Sequence, residues 1–312
     1  VDDSDHFVPP KHRKDDDMPS IYDMPESLKT AIKCFIITCA IRAARGQEKK
    51  HNSMLIHITR FQSWQNHIKD IVEQQFRYYK SEIEANDPSI MEEFRRIFEE
   101  DNVDYKSYTT ITEEILNSKS YYNIDSQIKQ HTWEEVKSFL YPAVQKIEVK
   151  SINGSSGDSL TYYENEKNGI SVIAIGGDKL SRGLTLEGLS VSYFLRASKM
   201  YDTLMQMGRW FGYRDGYIDV CRLYIEKATA VNFRNIAVAT QRMRDDFEDM
   251  NNRGVKPREY GLKVMRFPGV LEATSRNKFG AAVKGKLSLN KTTLQAYKLR
   301  KDPDIIEGNK KL

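Results

Sequence analysis

Cysteine and histidine are scarce in this chain of 312 residues, which contains three cysteines and six histidines. Cys34, Cys39 and Cys221 have neither the number nor the spacing of a disulfide framework or a zinc site. Cys34 and Cys39 lie in an apolar helical pattern, which favours reduced, buried thiols. We therefore expect no metal bound by this chain and a reducing compartment, the cytoplasm.

Long apolar runs are also missing. The longest, at residues 34–41, is interrupted by polar residues and is much shorter than a membrane span. No secretory signal precedes the predicted fold, and the first residue is Val1. We expect no membrane partner, and we interpret the chain as a processed or excised piece of a longer protein.

A phosphate-binding P-loop is the third absence. The nearest match, GAAVKGKL at residues 280–287, places Leu287 where a Ser or Thr hydroxyl would bind the metal. No buried strand precedes it, so we interpret Lys284 and Lys286 as part of a solvated basic loop. The chain should therefore not hydrolyse a nucleoside triphosphate alone.

Charge is present in abundance but is unevenly distributed. Residues 251–312 contain 15 Lys and Arg against 5 Asp and Glu, whereas residues 1–250 contain 33 against 39. A basic extension on a slightly acidic body is typical of a surface that binds polyanions, although solvated lysines explain it equally well.

The order of apolar patterns predicts an α/β fold. Two continuous apolar runs, GISVIAI and LSVSYFL, indicate strands of a parallel sheet covered on both faces. Strands alternating with helices favour a doubly wound sheet. We predict a linker over residues 1–24, a domain over 25–250 with a helical insertion at about 61–143, and a basic extension over 251–312.

Individual elements can be placed by periodicity and capping signals. Asp87-Pro88 predicts a helix start, and Thr132 with Glu135 forms a capping box. The predicted helices include residues 25–46, 200–211 and 228–252, and the predicted strands are 53–58, 147–152, 169–175, 189–195 and 217–225.

Polar residues follow the strand that ends near Ile175, in the stretch GGDKLSRGLTLEG at residues 176–188. The carboxyl ends of parallel strands are where ligands bind, and glycines there let the backbone approach a phosphate. Lys179 and Arg182 would neutralise its charge. The next stretch, DTLMQMGRWFGYRDGY at residues 202–217, places Gln206, Arg209 and Arg214 on and just after a helix.

These two stretches resemble motifs five and six of superfamily-two helicases. The first is similar to Arg-Gly-apolar-Asp, with Thr185 in place of the aspartate; the second is similar to Gln-x-x-Gly-Arg-x-x-Arg, with altered spacing. With the stretches at 25–28 and 52–57, the chain from about residue 25 to 278 resembles the Z-one domain family. That family is a bacterial helicase-like domain, also described as an endonuclease, met in restriction-type defence loci beside GHKL-type ATPases.

The resemblance implies the RecA-like second lobe of a nucleic-acid-dependent NTPase in a restriction or anti-phage defence system. ATP and Mg²⁺ would be held mainly by an upstream lobe absent from this chain. Partners would be that missing N-terminal lobe, nucleic acid (DNA in preference to RNA), and a GHKL-type ATPase or nuclease of the same locus.

The same resemblance assigns roles to individual residues. An arginine of the second lobe would reach the γ-phosphate, with Arg214 the first candidate and Arg209 the second. The remaining assignments are Gln206 for the nucleotide or facing lobe, Gly177, Asp178, Arg182 and Gly183 for the nucleotide and lobe interface, and Thr59, Arg60, Lys179 and Ser181 for nucleic acid.

Rigidity of the arginine is essential to this interpretation, because fixed charge stabilises a transition state best. We expect Trp210, Phe211 and Tyr213 to pack around Arg209, and the turn to lie at the same rim of the sheet as Lys179 and Arg182. An arginine–aromatic stack that merely closes the sheet edge is the alternative explanation.

Two other function classes stay open. The first is a metal-dependent endonuclease, for which Glu148, Lys150 and Asp125 are the candidate residues. The second is a catalytically silent module that binds DNA or a partner protein.

Overall fold

The structure is a computed structural model that describes residues 1, 3–9, 11–103, 105–118, 125–152, 162–177, 186–195, 201–208, 214–254 and 307, without the side chains of residues 201–203 and 207. The chain divides into two units, Val1–Thr274 and Ser275–Leu312. All the elements below belong to the first unit.

Seven α-helices and five strands are found among the described residues. The helices are α1 (Glu26–Ala44), α2 (Gln62–Glu84), α3 (Pro88–Glu99), α4 (Tyr108–Asn117), α5 (Trp133–Lys146), α6 (Tyr201–Gly208) and α7 (Lys227–Asn252). The strands are β1 (Asn52–His57), β2 (Ile147–Ile152), β3 (Ser171–Gly176), β4 (Leu189–Phe194) and β5 (Arg222–Ile225).

The five strands form one sheet in the order β2-β3-β1-β4-β5. Every pairing is parallel, so all carboxyl ends lie at one edge and all amino ends at the other. We call these the carboxyl edge and the amino edge. The predicted α/β class with a parallel sheet is confirmed.

Side chains of successive strand residues point to opposite faces, and each face has its own core. One face contributes Met54, Ile56, Ile173, Val191 and Tyr193 to the larger core, together with residues of α1, α2 and α5. The other face contributes Leu55, Val172 and Phe194, against which Phe233 of α7 packs. Both faces are therefore covered, which explains why the strands are apolar throughout.

Several predicted local signals are confirmed. Asp87 caps α3 ahead of Pro88, and the Thr132–Glu135 capping box starts α5. Four helices, α2 to α5, lie between β1 and β2, where we predicted a helical insertion. None of the helices that the structure describes has the length and apolarity required to traverse a lipid bilayer.

Two predictions differ from the structure. The predicted strand at residues 217–225 is wrong in its first half, which is a 3₁₀ turn (Ile218–Val220), because Asp219 turns inward to a buried arginine. The segment we interpreted as a linker contributes Phe7 and Val8 to the core, with exposed fractions of 0% and 7%.

Candidate functional site at the two edges of the sheet

Three residues predicted as functional meet at the carboxyl edge. Gly177 follows β3, and Thr59 and Arg60 follow β1, its neighbour in the sheet. A Cβ atom at position 177 would lie 2.5 Å from Gln65 Nε2 and 3.1 Å from the Thr59 carbonyl oxygen. A larger residue here would therefore have to shift the Gln65 amide and the Thr59 backbone slightly, which shows how closely the two strand ends approach each other.

Thr59 is a structural anchor at this edge rather than an accessible contact, because only 3% of it is exposed. Its Oγ1 accepts a hydrogen bond from the Phe61 backbone N–H at 3.2 Å and lies 2.7 Å from His12 Nε2. The other ring nitrogen of His12 is 2.7 Å from the Pro9 carbonyl oxygen, to which Nδ1–H must donate. His12 Nε2 therefore accepts from the Thr59 hydroxyl.

A cleft of about 500 Å³ opens at the carboxyl edge, beside the end of β1. We call it the carboxyl-edge cleft. Its lining includes Lys11, Arg13 and Arg60, against one carboxylate, Glu226. Arg60 is exposed, and its guanidinium lies 4.9 Å from the centre of the Phe61 ring. The cleft therefore combines positive charge with the edge at which parallel sheets bind ligands.

Arg214 lies at the opposite end of the sheet. Its Nε–H donates to the carbonyl oxygen of Leu189, the first residue of β4, at 3.3 Å. Helix α6 lies between β4 and β5 in the chain, and the described residues from Arg214 onward lead into the amino end of β5. Arg214 therefore lies at the other edge from Gly177, Thr59 and Arg60, whereas Lys179 and Arg182, with which we expected the turn to share a rim, lie outside the described residues.

The turn after Arg214 is held by a buried ion pair. Both guanidinium Nη atoms of Arg45, in the turn that ends α1, bond the Asp219 carboxylate, at 2.8 and 2.6 Å. The two side chains are 1% and 0% exposed. Arg45 Nη1–H also donates to the Gly216 carbonyl oxygen at 3.3 Å. This pairing fixes the path of residues 216–219.

The helical insertion contributes further bonds to the same turn. Asp125 accepts from the Gly216 backbone N–H at 2.6 Å, and the Thr112 hydroxyl donates to Asp219 at 2.6 Å. Gly216 has a φ of +81°. This conformation favours glycine, and a Cβ there would also lie 2.5 Å from Gln47 Nε2 and displace that amide. We call Arg45, Asp125, Gly216 and Asp219 the amino-edge clamp.

Cations also surround Tyr217 within the turn. The Arg42 guanidinium lies 4.0 Å from the centre of its ring, in a stacking position. Burial raises the pKa of Tyr217, while the positive charges of Arg42 and Arg214 act in the opposite direction. Burial also raises the pKa of Cys221 to about 11, so this thiol stays protonated at neutral pH.

Of the other predicted site residues, the structure describes only Gln206. Gln206 lies near the end of α6 and is exposed. Six predicted residues, together with the aromatic residues expected to pack around Arg209, lie outside the described residues. These are Asp178, Lys179, Ser181, Arg182, Gly183 and Arg209, and the aromatic residues Trp210, Phe211 and Tyr213.

The residues proposed for a nuclease are not brought together. Asp125 bonds the Gly216 and Gln127 backbone N–H groups, whereas Glu148 pairs with Lys150 on β2 at 2.8 Å. No group of three or more His, Cys, Asp and Glu side chains in the described part of the chain is arranged to hold a metal ion.

Neither the clamp nor the role of the basic residues in the N-terminal segment could be predicted from the sequence. Arg45 and Asp219 are 174 positions apart, and no local pattern links them. The turn sequence itself gives a weak indication of the clamp, because Gly216 directly precedes Tyr217 and Asp219 follows it by two residues. Lys11 and Arg13 lie next to three consecutive aspartates, which made the segment resemble a solvated linker.

Comparison with known proteins gives one positive result. Searches found no curated protein and no solved structure that matches the chain. A family model, that of the Z1 domain, matches residues 27–271 and therefore includes the whole sheet and both of its edges. Because the match extends over well more than half of its length, the chain belongs to the Z1 domain family.

Proposed function

We propose that this chain is the second, RecA-like lobe of a nucleic-acid-dependent NTPase related to superfamily-two helicases, acting in a bacterial restriction or anti-phage defence system. The two edges of its sheet would have separate tasks. The amino edge would present Arg214 to a nucleotide bound by a companion lobe, and the carboxyl edge would grip a nucleic-acid strand.

The observation that carries this proposal is the attachment of the turn that follows Arg214. Gly216 and Asp219 are fastened to α1 and to the insertion by the buried amino-edge clamp. The Arg214 guanidinium is itself oriented by the Leu189 carbonyl. Such a guanidinium needs little reorganisation when it meets its target, which is the property required of an arginine finger.

Hydrolysis of a nucleoside triphosphate builds negative charge on the oxygens around the transferred phosphoryl group. Arg214 would offset this charge, since a guanidinium stays protonated at any working pH. ATP and Mg²⁺ would be held mainly by the companion lobe, because the sequence of this chain has no P-loop to bind the phosphates. Gln206, near the end of α6, and Arg209 are proposed to assist.

The proposal is tested with the full-length protein that includes the companion lobe. Arg214→Ala should lower the kcat of NTP hydrolysis by about 10³-fold or more while nucleotide binding stays within a few-fold, because the finger acts mainly in the transition state. Arg214→Lys should restore little activity, since lysine lacks the planar fork.

The matched control is Arg96→Ala, which removes an exposed arginine from α3 in the insertion. It should hydrolyse NTP as the wild type does. Normal turnover in Arg214→Ala, with the full-length protein active, would contradict the role of Arg214. DNA or partner binding without any nucleotide dependence would instead favour the silent binding module.

A further inference from the structure

The N-terminal segment is fastened across the carboxyl edge. The nitrogen of Val1 lies 3.1 Å from the carbonyl oxygen of Ile225, the last residue of β5. Phe7 is fully buried in the larger core. His12 bonds Thr59, and Trp64 Nε1–H donates to the Arg13 carbonyl oxygen at 3.1 Å. We call residues 3–9 and 11–13 the N-terminal strap.

This anchoring places two cations of the strap at fixed positions. Lys11 and Arg13 flank His12, whose ring also lies 4.5 Å from that of Trp64, measured between centroids. Both basic residues line the carboxyl-edge cleft together with Arg60. Three cations from two distant parts of the chain therefore line one cleft. The strap that carries two of them is held by the bonds of His12 to Thr59 and of Trp64 to Arg13.

These cations differ from those elsewhere on the surface. Within the part of the chain that the structure describes, Lys11, Arg13 and Arg60 form no ion pair. By contrast, Arg95 and Arg96 on α3 both pair with Glu92, at 2.8 and 3.1 Å. Glu226 also lines the cleft, and Asp16 accepts from the Arg13 backbone N–H at 2.7 Å, so the lining has three cations to one carboxylate, an excess that favours an anionic ligand.

The start of α2 adds to this potential. The helix begins at Gln62, directly after Arg60 and Phe61, and runs for 23 residues. No side chain caps its first turn by a hydrogen bond, and the turn contains no acidic residue. The positive end of the helix dipole therefore reinforces Arg60 instead of being neutralised by the protein.

We propose that the N-terminal strap is half of a phosphate-binding cleft, in which Lys11 and Arg13 join Arg60 on successive phosphates of a single nucleic-acid strand. His12 and Thr59 act as positioning residues that hold the strap against the end of β1. The inference rests on the proposed function for the class of ligand. It adds Lys11 and Arg13, from the segment that the sequence indicated to be a linker, to the binding surface.

The test measures binding of the full chain to a fluorescein-labelled single-stranded DNA oligonucleotide by fluorescence anisotropy over a range of salt concentrations. Lys11→Ala/Arg13→Ala should weaken binding at least about fivefold at low salt and reduce the slope of log K against log salt by about 1.4, since two phosphate contacts are lost. Arg60→Ala should reduce the slope by about 0.7.

The control is Arg95→Ala/Arg96→Ala, which removes the same charge from α3 and should leave affinity and slope close to those of the wild type. The strap variant should melt at the wild-type temperature, because the bond from Trp64 uses the Arg13 backbone and both basic side chains are solvated. A strap variant that unfolds is replaced by Lys11→Gln/Arg13→Gln, for which the same loss is expected.

The outcomes distinguish failure of the strap inference alone from failure of both the strap inference and the proposed strand contact. If Arg60→Ala weakens binding and the strap variant does not, the strap inference is overturned while the strand contact at the carboxyl edge stands. If the wild type does not bind the oligonucleotide at any salt concentration, both the strap inference and the proposed strand contact fail. Equal displacement of the oligonucleotide by polyglutamate would overturn the assignment, since it would indicate a site for acidic protein segments.

Discussion

Arginines at the two edges of the sheet are used in opposite ways. At the amino edge, the Arg45 side chain is buried, and its guanidinium pairs with Asp219 and donates hydrogen bonds to backbone carbonyls. At the carboxyl edge, Arg60 is exposed and, among the described residues, forms no ion pair. A buried arginine organises the chain around it, whereas a solvated, unpaired one is available to a ligand.

This difference predicts that the two edges respond differently to loss of charge. Stability should depend on the amino edge, and affinity for anions on the carboxyl edge. Neither property could be assigned from the residue type alone, since the side chains are chemically identical. Three experiments follow, from the largest expected effect on stability to the smallest.

The largest effect is expected from Asp219→Ala. It leaves the Arg45 charge buried without its carboxylate, which should lower the free energy of unfolding by about 3–5 kcal/mol. Arg60→Ala should change it by less than about 0.5 kcal/mol, since it alters only solvated surface. Urea denaturation followed by circular dichroism measures both values.

A double variant sharpens this first prediction. Arg45→Met/Asp219→Leu removes both charges and should recover much of the stability that Asp219→Ala loses, because no unpaired buried ion remains. If Asp219→Ala is as stable as the wild type, the clamp does not organise the amino edge. The comparison between the edges would then be wrong.

An intermediate effect is expected from Gly216→Ala. A side chain at this φ is strained by about 1–2 kcal/mol, and its Cβ would also displace the Gln47 amide. Gly46→Ala is the matched control, because Gly46 has a φ of +75° with no atom within 4 Å of the Cβ position. Thermal melting should show Gly216→Ala to be the less stable; equal melting temperatures would contradict the close packing of the clamp.

The smallest effect concerns pH. Burial, followed by the charge of Arg45, lowers the pKa of His131, whose Nε2 accepts from Arg45 Nε–H at 3.4 Å. A lowered folded-state pKa means that the unfolded chain binds the proton more readily, so stability is complete above about 6.5 and declines as the pH falls below it. The free energy of unfolding should therefore fall between pH 7 and 5 through this group.

His131→Asn provides the check on that prediction. The variant should have a shallower decline of the free energy of unfolding between pH 7 and pH 5 than the wild type. His51, whose pKa burial also lowers, stays in both proteins and cancels in the comparison. An identical pH dependence would indicate that the ring is equally solvated in the folded and unfolded chains.

Local patterns predicted the elements of this fold well, and long-range pairings poorly. Some features depend only on residues that are close in sequence, such as the apolar runs of β3 and β4 and the helix caps at Asp87 and Thr132. Periodicity and capping chemistry therefore identify them. The placement of Gly177 beside Thr59 follows from the rule that parallel strands end at a common edge.

The amino-edge clamp and the N-terminal strap could be recognised only from the structure. Asp219 stands inside an apolar, strand-like stretch, and only its distant partner Arg45 explains why the chain turns there. Similarly, prolines and aspartates around Lys11 indicate a linker, while burial of Phe7 shows that the segment packs on the domain. In both cases a contact across the fold outweighs the local pattern.

The central position of β1 has a consequence for biosynthesis. This strand, whose six residues are all buried, is the first of the sheet to be translated, yet its neighbours β3 and β4 are completed only at residues 176 and 194. At translation speeds of about 5–20 residues per second, the strand waits roughly 7–27 s for both partners. The nascent polypeptide therefore carries an apolar strand without its hydrogen-bonding neighbours for many seconds, and α1, which precedes β1 and packs in the same core, is its first available cover.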